Sequence, residues 1–72
     1  MTRSFRTYSA AFDAGVSAAR KYAIRSARDA AMFVYVVGFG SGSAYMFEIE
    51  DLGHGGIGDP QAVAYPDGTV ER

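Results

Sequence analysis

Seventy-two residues with no cysteine are expected to make one small domain without a disulfide staple, with a core near the lower size limit for unaided folding. The net charge of −1 hides a division: residues 1–36 carry six basic and two acidic side chains, residues 37–72 one basic and six acidic. Such a chain presents a basic and an acidic surface if its halves form different layers, unless the halves simply attract each other across the fold.

Met1 to Thr7 holds two arginines and only Phe5 as a bulky hydrophobe, so no secretory signal core is expected. The longest apolar stretch, Ala30 to Gly40, is about half of the ~20 residues that span a bilayer. A single cytoplasmic domain over residues 1–72, without a membrane segment, is expected. Residues 3–7 form a short strand or lead directly into a helix.

From Ser9 the pattern turns helical, with Thr7 or Ser9 as N-cap. Alanines at 10, 11, 14, 18, 19 and 23 give strong propensity, weakened by Gly15. Tyr8, Phe12, Val16, Ala19 and Ala23 recur at spacings of three and four, so this face is predicted to be buried, with Phe12 and Val16 carrying most of the contact. Small residues at Gly15, Ala19 and Ala23 suit close approach to a sheet. Ile24 lies off the stripe, which predicts an end or bend near Tyr22 to Ile24; continuation to Arg28 would return Ala27 and Ala30 to the buried side.

Met32 to Asp51, MFVYVVGFGSGSAYMFEIED, has the composition of a β-hairpin. In its second strand Tyr45, Phe47 and Ile49 alternate with Ala44, Met46, Glu48 and Glu50, giving one apolar and one increasingly acidic face. In the first strand Met32, Val34 and Val36 oppose Phe33, Tyr35 and Val37, so both faces are apolar, as in a central strand covered on both sides. Only one helix is available as a cover. Part of the outer set is therefore exposed, or buried by another chain.

Leu52 to Pro60 contains four glycines and reads as a mobile connection. Gln61 to Tyr65 gives a third strand with Val63 and Tyr65 on one face. Tyr65-Pro66-Asp67-Gly68-Thr69 is a turn, after which Thr69 to Glu71 pairs back as a short last strand. The expected fold class is α+β, in the order (β)-α-β-β-β: one helix packed across an antiparallel sheet of three to four strands.

Catalytic chemistry finds little support. The glycine-rich segments at 38–42 and 53–58 lead into strands, whereas a phosphate loop needs a helix N-terminus after it. Asp51, His54 and Asp59 on a glycine loop make a weak metal set, and no serine sits in a nucleophile elbow. Glu48 and Glu50 share a strand face, but general acid work requires a carboxyl group taken out of water, and an acidic edge does the reverse. No enzyme activity, cofactor or metal is expected.

Lys21, Arg25 and Arg28, spaced by four and three, form one basic stripe with Arg20 beside it if the helix runs that far. Such a stripe binds nucleic acid through phosphates or is merely a solvated face.

The alanine-rich helix SAAFDAGVSAARKYA, the hairpin MFVYVVGFGSGSAYMFEIED and a closing strand resemble the layout of several small phage-encoded proteins, among them anti-CRISPR inhibitors. The resemblance is one of organisation, covers most of the chain and transfers no site residue. It implies stoichiometric binding to a nucleic-acid-handling protein such as a CRISPR effector subunit in the host cytoplasm, with carboxylates standing in for phosphates. The near-zero net charge departs from the strongly acidic members and leaves a local acidic patch as the contact.

The expected function is that of a non-enzymatic protein-binding module. Its contact surface is expected at Tyr35, Met46, Glu48, Glu50 and Asp51. The alternatives are a nucleic-acid binder using Arg20, Lys21, Arg25 and Arg28, and a homodimer whose sheet faces pack together.

Overall fold

The computed structural model describes residues 4–38, 42, 44–51 and 59–72. Most of the predicted hairpin turn and the glycine connection around His54 lie outside the described residues. The elements are one helix, α1 (Tyr8–Ser26), and four strands, β1 (Ala30–Val37), β2 (Ala44–Asp51), β3 (Ala62–Ala64) and β4 (Val70–Glu71). The strands form one antiparallel sheet in the order β2-β1-β3-β4, with α1 across one face. This is the α+β architecture expected from the sequence.

Thr7 is the N-cap: its backbone is extended and its Oγ1 accepts from the Ala10 amide at 3.1 Å, satisfying a donor of the first turn. The helix does not stop at Ile24. It runs to Ser26 and ends at Ala27, whose φ of 57° lies in the left-handed region. Ile24 is exposed, so its place off the apolar stripe reflects the helix surface and not an end.

The buried line of α1 keeps Val16, Ala19 and Ala23 of the predicted one and replaces Tyr8 and Phe12. Ala11, Gly15, Val16, Ala19 and Ala23 are buried, Phe12 is half-buried and Tyr8 is exposed. The physical reason is Met32, the largest fully buried side chain, which lies against Gly15. Only a line of hydrogen and methyl side chains brings the helix backbone close enough to cover it. Phe12 packs instead at the flank, stacked on Tyr8 at 6.0 Å and beneath the Arg72 guanidinium.

β1 is central, as its two apolar faces predict. Along its whole length it pairs with β2, from Ala30 opposite Asp51 to Val37 opposite Ala44. On its other side β3 pairs only with Ala30, Ala31 and Met32. The Gln61 side chain extends this ladder, its Oε1 accepting from the Val34 amide at 2.9 Å. The third strand is shorter than the predicted Gln61–Tyr65, because Tyr65 already begins the turn: its amide donates to the Thr69 carbonyl and its carbonyl accepts from Gly68. Gly68, at φ 92°, supplies the positive φ that this turn requires. Among the described residues the predicted first strand is reduced to a single bridge, Phe5 to Tyr45, closed by two backbone bonds of 2.8 Å.

Candidate functional site

Strand alternation divides the sheet residues between two faces. Met32, Val34, Phe47 and Ile49 face α1 and join the core with Ala30, Ala62 and Ala64. The intervening residues point away from it: Ala31, Phe33, Tyr35 and Val37 from β1, and Ala44, Met46, Glu48 and Glu50 from β2. Among the described residues no secondary-structure element covers this second face.

Register arranges the open face in rows. At one end Val37 lies opposite Ala44, and Tyr35 opposite Met46. Next, Phe33 lies opposite Glu48. At the far end Ala31 sits between Glu50 and Val63, and Val63 is opposite Glu71. The surface thus grades from aromatic and aliphatic to acidic over the length of β1. Phe33, Val37 and Met46 are half-buried and Tyr35 is 39% exposed. Glu48 and Glu50 have no ion-pair partner among the described residues.

Tyr65 and Glu71 join the acidic end, where the Tyr65 hydroxyl donates to Glu71 Oε1 at 3.5 Å. Desolvation, followed by the negative charges of Glu71 and Asp29, pushes the Tyr65 phenol above its ordinary range. Sequence alone leaves Val63, Tyr65 and Glu71 out of the candidate surface. The alternation of β3 hints at their face, but only the β1–β3 and β3–β4 pairings bring them beside Glu50.

Of the predicted contact residues, Tyr35, Met46, Glu48 and Glu50 do share the open face. Asp51 does not. Its parity with Phe47 and Ile49 turns it toward the helix, where Oδ2 accepts from the Tyr22 hydroxyl at 3.1 Å and pairs with Arg28 at 3.4 Å. That parity is readable in the sequence. Acceptance of this hydrogen bond by the carboxylate is the main reason the Tyr22 phenol is raised above its ordinary range.

The four basic candidates are likewise separated. Arg20 Nε donates to the Gly68 carbonyl at 2.9 Å, which ties it to the β3–β4 turn. Arg28 lies beyond the helix and reaches Asp51 at the opposite side. Lys21 and Arg25 alone remain as adjacent cations one turn apart on α1, so the predicted continuous stripe is broken.

Among the described residues no three histidine, aspartate or glutamate side chains gather as a metal site, and His54 lies outside them. No described helix is long and apolar enough to cross a membrane. Comparison with protein-family models, with curated proteins and with solved structures gives no match.

Proposed function

We propose that this protein is a non-enzymatic binding module whose open sheet face docks onto a basic surface of another protein. One observation carries the reading: a face with Tyr35 and Met46 at one end, Phe33 beside Glu48 in the middle and Glu50 and Glu71 at the other end, opposite the only helix among the described residues. Aromatic and methionine side chains supply contact area, and the carboxylates supply orientation and discrimination. Inhibition of a nucleic-acid-handling protein, in the manner of anti-CRISPR inhibitors, is the finer form of this proposal. There the carboxylates of Glu48 and Glu50 would occupy places meant for phosphates. The nucleic-acid alternative is less favoured, because Arg20 and Arg28 are engaged within the fold.

The test is affinity capture from host lysate with and without nuclease, using wild type, Glu48→Lys/Glu50→Lys and Lys21→Glu/Arg25→Glu. The expected result is a protein partner that survives nuclease, is retained by the helix variant and is lost by the sheet variant. Circular dichroism checks the fold: Glu48, Lys21 and Arg25 are exposed, where substitutions usually change stability by about 0.5 kcal/mol or less, and Glu50 is half-buried. If the sheet variant captures the same partner as wild type, the proposal is wrong. If capture instead depends on nucleic acid and on Lys21 and Arg25, the binder is the basic helix.

A further inference from the structure

On the side of the molecule away from the open face, a groove of about 480 Å³ runs between the C-terminal half of α1 and the edge of β2. Its lining is Ala18, Lys21, Tyr22, Arg25, Ser26 and Ile49. The groove exists because Ala18 offers only a methyl group where a longer side chain would fill the space beside Ile49. Its volume lies within the range of small-molecule sites.

The polar groups of this groove sort into two kinds. The Tyr22 hydroxyl donates to Asp51 and the Ser26 hydroxyl donates to the Tyr22 carbonyl at 2.7 Å, so both donors are already used. Asp51, the acid at the end of the groove, is held by Tyr22 and Arg28. Lys21 and Arg25, one helical turn apart, have no carboxylate partner among the described residues. What the side chains offer an occupant is therefore an apolar floor and a pair of uncompensated cations.

We infer that the groove between α1 and β2 binds a monomeric anionic amphiphile, a single-chain carboxylate whose head group lies between Lys21 and Arg25 and whose chain lies along Ala18 and Ile49. A carboxylate meets both cations through charge-assisted hydrogen bonds. The floor of Ala18 and Ile49 asks only for hydrocarbon. A sugar, a nucleobase or a peptide backbone would set polar groups against the Ala18 and Ile49 side chains, which offer them no partner. The inference does not depend on the function proposed for the open face, because the two surfaces share no residue.

Sodium decanoate is the probe, titrated below its micelle-forming concentration into isotopically labelled full-length protein. Amide and methyl shifts are expected to saturate at Ala18, Arg25 and Ile49 and to leave Phe33 and Tyr35 unmoved. Decanol, with the same chain and no charge, and acetate, with the charge and no chain, are each expected to bind about tenfold or more weakly. Lys21→Gln/Arg25→Gln is expected to lower decanoate affinity by about tenfold while leaving decanol unchanged. The ligand comparison on wild type needs no variant and stands if the variant fails to fold. Shifts centred on the open sheet face, equal binding of decanol and decanoate, or binding only above micelle formation would each overturn the inference. Tighter binding of a glutamate-rich peptide than of decanoate would overturn it too.

Discussion

The contact between Gly15 and Met32 can be tested by a double-mutant cycle whose sign is set by geometry. A Cβ built on Gly15 would lie 2.7 Å from Met32 Sδ, 2.9 Å from Met32 Cγ and 3.0 Å from Phe47 Cβ. Ordinary carbon contacts are about 3.5–4.0 Å, so Gly15→Ala creates an overlap approaching 1 Å with a side chain that is fully buried. Overpacking of this kind costs about 1–3 kcal/mol. Against it stands a gain of about 1 kcal/mol from replacing glycine in a helix interior. The net expectation is a modest loss, about 1 kcal/mol.

Met32→Ala alone should cost about 2–5 kcal/mol, because it leaves a cavity beneath the helix. In that background the overlap with sulfur is gone, and Gly15→Ala should become stabilising by up to about 1 kcal/mol, trimmed by the remaining contact with Phe47 Cβ. The coupling is then about 2 kcal/mol, within the range found for residues in direct contact. Urea melts followed by circular dichroism measure all four proteins. A 72-residue domain has roughly 4–11 kcal/mol in total, so the series is run in sucrose to keep the Met32→Ala proteins folded. If Gly15→Ala has the same sign and size in both backgrounds, Met32 does not set the closeness of helix and sheet.

Packing and capping set three further expectations. Phe12→Ala should cost about 1–2 kcal/mol in a chemical melt, short of the 3–5 typical of a fully buried phenylalanine, because the ring lies at the flank of the core; a loss above about 3 would return Phe12 to the centre. Ala27→Gly should raise stability by up to about 1 kcal/mol, since the left-handed φ of 57° strains alanine more than glycine; an unchanged or lower melting temperature would contradict the cap. The Tyr22 phenol should titrate above its ordinary value of 10.0, and Asp51→Asn should return it toward that value, as read by ultraviolet absorbance. Since the folded value is the raised one, the Tyr22–Asp51 contribution is complete below pH 10 and is lost as pH rises through the folded value; titration of Tyr22 unmoved by Asp51→Asn would refute the contact.

Much of the architecture is legible because it is written in local chemistry. Alanine density and Thr7 specify a helix, alternation in residues 44–50 specifies a strand with one acidic face, and Pro66 with Gly68 specifies the turn. The two-sided apolar character of β1 is enough to make it central. What periodicity cannot resolve is how α1 is rotated on the sheet: Val16, Ala19 and Ala23 are buried as the spacing predicts, whereas Tyr8 and Phe12 give way to Ala11 and Gly15. Only the tertiary structure decides it, by setting Met32 against Gly15, a match of shape between residues 17 positions apart in sequence.

The same division holds for the candidate surfaces. Tyr35, Met46, Glu48 and Glu50 are found from alternation within single strands. Glu71 and Tyr65 join them only through the β1–β3 and β3–β4 register. Arg20 and Arg28 leave the basic stripe because Gly68 and Asp51, distant in sequence, lie within their reach. Local pattern determined which residues are apolar, charged or turning, because those preferences act over a few bonds. Partnership between them was decided by the close packing of α1 on the sheet, which no window of sequence contains.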